Sequence, residues 1–260
     1  MKRLILGLFT ALSLVGCKNN LKEADVDTIA DTTAAVVKSE KELQIHPIGH
    51  ATMVLQWGDT TIYVDPVGGA ERFANFDSPD LILVTDIHGD HLNAETLAAV
   101  STDKSKIVLP QACADRLGAD FTAQLDVLAN GETKTRYDIA ITAIPMYNLR
   151  EEDKDKHVKG RGNGYVLESD GKRLYISGDT EDIPEMRALE NIDIAFVCMN
   201  LPYTMTVESA ADAVLEFAPT TVYPYHYRGA NGLSDVAKFK AIVDAGGKEI
   251  SVIQKDWYAQ

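Results

Sequence analysis

Apolar residues along the chain form short β-rich runs first, and later runs alternate with segments of helical spacing. The opening runs predict strands at 42–48, 51–56 and 60–64, with Trp57-Gly58-Asp59 as the turn between the last two. Further strands are predicted at 81–85, 106–109, parts of 125–145, 165–168, 173–176, 192–199, 221–227 and 250–253, and helices at 94–100, 111–117, 207–217 and 234–245. This order of elements indicates a layered α/β domain with helices packed outside central sheets.

One predicted strand ends in a cluster of side chains that commonly bind metals. Residues 81–85 form a continuous apolar run, which is typical of a strand buried on both faces. Four potential ligands follow within six residues: Asp86, His88, Asp90 and His91. Asn93 is placed to cap the helix 94–100, so the loop lies between two regular elements. Imidazole and carboxylate together suit Zn, Fe or Mn, and this density of ligands favours a metal site over a merely polar loop.

Composition and charge exclude some partners. The chain has 260 residues, 45% hydrophobic and 25% charged, which is enough to bury a large core. Its formal charge of −14 argues against nucleic acid and against a basic membrane-binding patch. Cys113 and Cys198 lie in separate apolar segments and are expected to be buried thiols, although a disulfide between them stays open.

The first 41 residues differ from the rest of the chain. A basic start at Met1-Lys2-Arg3 and an apolar run too short to span a bilayer predict a signal peptide over 1–16. The sequence Leu14-Val15-Gly16-Cys17 resembles the lipobox of bacterial lipoproteins, which implies lipidation at Cys17; a plain signal peptide or a buried cysteine is the alternative. Residues 17–41 are then a flexible tether. We expect export to the cell envelope, with attachment to a bacterial membrane on its periplasmic side through the lipid alone.

The ligand cluster and two later segments carry a family resemblance. Asp86-Ile87-His88-Gly89-Asp90-His91 resembles the His-x-His-x-Asp-His signature of the metallo-β-lactamase-fold hydrolases, with Asp86 in place of the first His. Ser177-Gly178-Asp179-Thr180 resembles the family's Gly-Asp-Thr, whose Asp bridges two metals, and the segment that ends in His226 resembles the last ligand segment. The resemblance implies an αββα sandwich over 42–260, in which Asp90, His91, Asp179 and His226 hold one metal.

The start of the domain resembles one branch of that family. Gly49-His50 and Asp65-Pro66 are similar to the branch that contains N-acylphosphatidylethanolamine phospholipase D and the ascorbate-phosphate lactonases. This implies that His50 lies near the metals, where it is assigned to catalysis together with Asp90, and that Asp65 supports the ligand loop. From the residues alone, Asp65 is equally compatible with a turn and His50 with a surface position.

The second metal position of the family lacks some of its ligand residues in this sequence. The family's third His should follow the strand that ends near Pro145, but Tyr147 and Asn148 stand there. With Asp86 also replacing a His, this position has lost two imidazoles and keeps His88. Asp86 is either a weak ligand or a hydrogen-bonding partner of a water. We therefore expect one tightly held metal, zinc first with Mn or Fe as alternatives, and a second, weaker one.

A charged loop follows, and it contains His157. Residues 160–164 are rich in glycine, so the loop is predicted to be a flap that hinges there. Tyr147, Asn148 and His157 are candidate supporting or substrate-contacting residues, while a solvated loop is the alternative for His157.

The predicted function is hydrolysis of an ester-like bond, a phosphodiester or a lactone, in a small or lipid-like substrate. A bound metal can lower the pKa of water to about 7 and polarise the scissile group. The alternative is a non-catalytic metal-binding lipoprotein that retains the scaffold. A flavin-partnered di-iron oxidoreductase lacks support, because no flavin-type domain follows. The sequence does not predict an oligomeric state.

Overall fold

The computed structural model describes residues 42–259, and its first sheet is built from the early strands. These are β1 (Leu43–Gly49), β2 (Thr52–Trp57), β3 (Thr60–Val64), β4 (Leu81–Leu83), β5 (Lys106–Leu109) and β6 (Leu125–Val127). They lie in chain order, with β1, β2 and β3 antiparallel and β3 to β6 parallel. The meander at the start of the domain is therefore confirmed.

The second sheet takes most of the later strands. The elements are β7 (Thr133–Arg136), β8 (Ile139–Met146), β9 (Gly162–Ser169), β10 (Lys172–Ile176), β11 (Ile194–Cys198), β12 (Thr221–Tyr225), β13 (Arg228–Gly229), β14 (Gly232–Leu233) and β15 (Ser251–Val252). The sheet order is β15-β12-β11-β10-β9-β8-β7, and β13 pairs with β14 in a separate hairpin. Strands β10, β11, β12 and β15 are parallel, so their carboxyl ends share one edge.

The core follows from the two-residue alternation along the strands. One face of the first sheet packs in the same hydrophobic core as side chains of the second sheet. The first sheet contributes Ile62, Val64, Leu81, Leu83 and Val108 to this core. Their neighbours point the other way and pack with Leu97 and Val100: Tyr63, Ile82 and Ile107. Because successive side chains on a strand point to opposite faces, each buried strand serves both an inner and an outer core.

Five α-helices complete the described part of the chain. They are α1 (Ala94–Val100), α2 (Gln111–Ala114), α3 (Pro184–Arg187), α4 (Val207–Phe217) and α5 (Val236–Ala245). The side chain of Asn93 accepts a hydrogen bond from the backbone N–H of Thr96, which confirms it as the cap of α1. Helices flank both sheets, so the predicted αββα sandwich is confirmed.

The predicted glycine hinge does not include Gly162 and Gly164. Gly162 and Gly164 lie within β9, and a Cβ atom on Gly162 would come 2.9 Å from the carbonyl oxygen of Thr85. One on Gly164 would come 2.8 Å from the carbonyl oxygen of Ser177. These glycines let β9 approach the loops that carry the site, which is a packing requirement and not a flexible joint.

Two predictions about the start of the chain concern residues outside the described range. The signal peptide over 1–16, and Cys17 with its tether over 17–41, precede residue 42. Between residues 42 and 259, no helix combines the length and the apolar character needed to cross a bilayer.

Candidate metal centre

The candidate site lies where strands from both sheets end. After β4 the chain enters the loop that carries Asp86 to His91, after β10 it reaches Asp179, and directly after β12 it reaches His226. The turn between β1 and β2 adds His50. Carboxyl ends of parallel strands meet at one edge of a sheet, so residues far apart in sequence converge there.

The first group, which we call site A, consists of Asp90, His91, Asp179 and His226. The Nε2 atoms of His91 and His226 are 3.3 Å apart, and each is 3.3 Å from an oxygen of Asp179. Asp90 completes the group at 3.4 Å from His226 Nε2 and 3.8 Å from His91 Nε2. Ligand atoms at the corners of a tetrahedral zinc site are separated by roughly 3.4 Å, as follows from bond lengths of about 2.1 Å. The two imidazoles of site A thus lie at distances from each other and from the two carboxylates that suit the binding of one metal ion.

The second group, site B, consists of Asp86, His88 and His157 and shares Asp179 with site A. His157 Nε2 lies 3.2 Å from Asp179 Oδ2 and 4.0 Å from Asp86 Oδ2. His88 Nδ1 lies 2.7 Å from Asp86 Oδ2. Oδ2 of Asp179 therefore stands between His157 and His91, which belong to the two different sites.

The tautomer of His157 supports a metal at site B. Its Nδ1 lies 3.3 Å from Asn148 Oδ1 and 3.2 Å from the carbonyl oxygen of Tyr203. Because both neighbours are acceptors, Nδ1 carries the proton and Nε2 offers a lone pair. His157 Nε2 and Asp179 Oδ1 are buried without a hydrogen-bond partner among the described residues. A cation in site B would satisfy His157 Nε2, and a cation in site A would satisfy Asp179 Oδ1, which lies 3.3 Å from His226 Nε2.

His157 corrects the expectation that site B had lost two imidazoles. The chain has no His at the place where the family motif has it, but the loop after Asn148 folds back and places His157 in that space. The amide Nδ2 of Asn148 donates to the carbonyl oxygens of Asp153 and Tyr203, which fixes the loop around the ring. Site B is thus short of one imidazole and not two.

Tyr147 points away from both sites. Its hydroxyl donates to Glu185 Oε2 at 2.9 Å and accepts from Lys159 Nζ at 3.2 Å. Its backbone contacts Thr180 beside Asp179. The side chain is therefore part of the wall behind the site and does not line the cavity, which agrees with the supporting role among the two predicted for it.

Asp86 is bound by a cation of the protein itself. Arg161 donates from Nε to Oδ1 at 3.1 Å and from Nη2 to Oδ2 at 3.0 Å. The carboxylate of Asp86 is fully buried, and 17% of the Arg161 side chain is exposed. Since Arg161 neutralises Asp86 with two charge-assisted hydrogen bonds, we expect site B to attract a metal less strongly than site A. Neither the sequence pattern nor the family resemblance pointed to Arg161.

Asp65 accepts hydrogen bonds from the loop that carries the candidate ligands. Its Oδ1 accepts from the backbone N–H of Thr85 at 2.8 Å, and its Oδ2 accepts from Thr85 Oγ1 at 2.7 Å and from His91 Nδ1 at 2.8 Å. Proton donation by Nδ1 directs the lone pair of His91 Nε2 into site A. The structure thus places Asp65 where the supporting role predicts it.

His50 lies behind His226 and also faces the cavity. Its Nδ1 is 3.2 Å from His226 Nδ1 and 3.3 Å from the hydroxyl of Tyr258. Burial first, and the neighbouring His226 second, lower the pKa of His50 to about 4, so the imidazole of His50 is neutral at pH 7. A neutral imidazole at this position can hold the ring of His226 in place or contact a ligand.

The electrostatics favour a divalent cation. Burial alone would raise the pKa of Asp179, but His226 and His91 outweigh it and hold that pKa well below the usual range. Burial alone would lower the pKa of His91, but the carboxylates of Asp179 and Asp65 raise it well above the usual value. The carboxyl group of Asp179 is therefore ionised, as a carboxylate ligand of a divalent metal must be.

Both sites open into one cavity of about 460 Å³. His88, Asp90, His157 and Asp179 line it from the two sites, and Lys156, Tyr203 and Arg228 line the rest of its wall. Asp90 has 43% of its side chain exposed, so its carboxylate reaches a ligand in the cavity as well as site A. A small molecule can therefore contact both sites at once.

Comparison with known proteins shows the family to which the chain is similar. The model of the family described as "Beta-lactamase superfamily domain" matches residues 44–226. A UPF0173 metal-dependent hydrolase from Pyrococcus abyssi is 30% identical over 214 residues, which cover 78% of this chain and 93% of that protein.

Two solved structures are similar to this chain in fold. A crystal structure from Parabacteroides distasonis, of a candidate metal-dependent hydrolase, has 39% identity and a TM-score of 0.74, and covers 83% of this chain and 93% of that one. A metallo hydrolase from Ignicoccus hospitalis has 22% identity and a TM-score of 0.67, over 82% of this chain and 95% of that one. The second similarity shows the fold alone.

Proposed function

The chain belongs to the metal-dependent hydrolases of the beta-lactamase superfamily, and on that premise we propose that it cleaves an ester-like bond, a phosphodiester or a lactone. The observation that carries the proposal is the shared carboxylate of Asp179, which stands between two groups of ligand side chains. Two neighbouring metals suit substrates in which an attacking and a leaving oxygen need stabilising together. The substrate we propose is a small or lipid-like ester.

The roles of the residues follow from their positions. Asp90, His91, His226 and Asp179 would hold the first metal, and His88, His157 and Asp86 with Asp179 the second, zinc in both cases or Mn or Fe in site B. A bound metal would activate water and polarise the scissile group. Asp90 can orient a water or accept a proton, because its ionised carboxylate also faces the cavity. His50 holds His226, and Asp65 holds His91.

The resemblance to the phospholipase and lactonase branch supports an ester-like bond over other hydrolysable groups. Gly49-His50 and Asp65-Pro66 carry that resemblance, and both His50 and Asp65 contact ligand residues. Fold alone does not select a substrate, because one scaffold hosts many activities.

The test is turnover by zinc-loaded protein of a panel of phosphodiesters and lactones, with and without a chelator. We expect chelator-sensitive hydrolysis in at least one class. His226→Ala should abolish it, since it removes a ligand of site A. His46→Ala is the matched control, because His46 contacts Phe76 outside the site. Full metal content without turnover on either class would overturn the proposal and favour the non-catalytic metal-binding alternative.

We also propose export and lipid attachment at Cys17, which rests on the sequence of residues 1–17 alone. Cys17→Ser should abolish incorporation of radioactive fatty acid and shift the chain from the membrane fraction to the soluble fraction. Unchanged labelling would overturn this part of the proposal.

A further inference from the structure

Arg228 stands out among the residues that line the cavity. It follows His226 by two positions at the start of β13, and its side chain is exposed at the wall shared with Asp90 and His88. The guanidinium group of Arg228 therefore lines the same cavity as the candidate metal ligands.

The charge of Arg228 is not neutralised within the part of the protein that the structure describes. No carboxylate among residues 42–259 forms an ion pair with it. Asp90, which lines the same cavity, lies instead beside His226 and His91.

Lys156, on the same cavity, provides a useful contrast. Its ammonium group pairs with Asp153, while Arg161 beside it pairs with Asp86. Of the cations that line the cavity, Arg228 is therefore the one that the described residues leave available for a ligand.

Arg228 is also held in place. Its Cζ atom lies 4.1 Å from the ring centroid of Tyr258, a distance typical of a cation stacked on an aromatic ring. Its backbone N–H donates to the Tyr258 hydroxyl at 3.0 Å. Stacking on one face leaves the N–H groups at the edge of the guanidinium free to donate, and it lowers the conformational entropy lost when a ligand binds.

We propose that Arg228 determines specificity by binding an anionic oxygen group, a carboxylate or a phosphate, on the substrate. The planar guanidinium donates two parallel hydrogen bonds to such a group, which neutral substrates cannot accept with the same strength. The proposal rests on the proposed function, because it names the class of substrate for that same site. The substrate is then an ester that carries a negative charge within reach of the metals.

The test is calorimetric binding to zinc-loaded protein, which needs no turnover. The probes are benzoate and phenylphosphonate, with benzamide as the neutral analogue of benzoate. Wild type is compared with Arg228→Met, Arg228→Gln and Arg228→Lys. Lys248→Met is the matched control, because Lys248 precedes β15 and so lies at the opposite end of the strands from the site. Metal content and melting temperature are measured for each variant.

We expect Arg228→Met and Arg228→Gln to weaken binding of at least one anion by about tenfold. Arg228→Lys should retain part of that affinity, and benzamide binding should not respond to the variants. Zinc itself attracts anions in every variant. The contribution of Arg228 is therefore the difference in anion affinity between each variant and wild type. The anion with the larger loss identifies carboxylate or phosphate as the recognised group.

Equal affinity of wild type and Arg228→Gln for both anions would overturn the inference. A purely structural role, in which Arg228 only supports Tyr258, would weaken benzamide and the anions alike and would also overturn it. If a variant loses metal, the anion affinities of Arg228→Lys and Arg228→Gln are compared at matched metal content. Equal affinities in that comparison would overturn the inference. Absence of ester hydrolysis contradicts the proposed function alone, because binding is measured separately.

Discussion

The Nε2 atom of His157 lies 3.2 Å from Oδ2 of Asp179, although the two residues come from a charged loop and from the end of a strand. This contact adds an imidazole to site B and makes Asp179 common to both sites. The second metal position, predicted to be the weaker of two, therefore has one more candidate ligand than the sequence indicated. In site A both imidazoles lie 3.3 Å from an oxygen of Asp179, whereas the Asp86 carboxylate in site B is shared with Arg161.

The first prediction is that His157→Ala removes one metal and leaves the other. Wild-type protein, dialysed against a small excess of zinc, should hold about two ions per chain, and the variant about one. Elemental analysis by mass spectrometry measures this directly. His46→Ala serves as the control. Two ions retained in His157→Ala would show that site B does not include this imidazole.

The regular elements could be predicted because their signals are local. Strands β3 and β5 and helices α1 and α4 have the predicted bounds, since each combines an apolar pattern with a clear start or end. The candidate ligands Asp90, His91, Asp179 and His226 could be predicted because they lie in segments that resemble the family's motifs and close to the ends of predicted strands. Strand ends are where parallel sheets collect ligands.

The place of His157 could not be predicted from the sequence. Its position depends on contacts between distant residues: Arg161 with Asp86, Arg150 with Glu181, and Asn148 with Tyr203. No periodicity encodes such contacts, and the motif placed the missing His at residue 147 or 148. The glycines at 162 and 164 were misjudged for the same reason, because their tight packing against Thr85 and Ser177 is a tertiary property.

The second prediction concerns the support of His91. Asp65→Asn should weaken zinc binding at site A by about 10- to 100-fold, because an amide holds the imidazole less firmly and does not enhance its basicity. Competition with a coloured chelator measures the affinity. Asp59→Asn is the control, since Asp59 lies in the exposed turn between β2 and β3. Unchanged affinity would mean that Asp65 serves only the backbone of Thr85.

The third prediction is a pH dependence of stability far from the metals. Burial opposes ionisation of Asp126, but hydrogen bonds from Arg136 and Lys134 lower its pKa below the usual value. Because the pKa is lower in the folded state, the ionised carboxylate stabilises the fold above its unfolded-state pKa of about 3.9. That contribution is lost as the pH falls through the lower, folded-state pKa.

Asp126→Asn should therefore lower the free energy of unfolding by about 1–3 kcal/mol at pH 7. The difference from wild type should shrink as the pH falls below about 3.9. Denaturant unfolding of both proteins across this range gives the difference, in which effects common to both cancel. A difference that does not change with pH would show that ionisation of Asp126 is not its source.

The last prediction uses the pair formed by Asp86 and Arg161. Asp86→His would supply the imidazole that the family motif has at this place, but it would leave the guanidinium of Arg161 without its carboxylate. Loss of one partner from a largely buried pair destabilises a protein by about 3–5 kcal/mol. We therefore expect the single variant to be less stable and not to gain affinity for the second zinc.

The double variant Asp86→His with Arg161→Met removes the unpaired charge together with the carboxylate. It should recover most of the lost stability, because hydrophobic groups can replace a buried ion pair at little cost. It should also bind the second zinc more tightly than wild type, since imidazole replaces a carboxylate that Arg161 had neutralised. Denaturant unfolding of the metal-free proteins and zinc titration calorimetry measure the two effects. If the double variant is stable but binds the second zinc no more tightly, Asp86 does not face a metal in site B, and its role is to position His88 and Arg161.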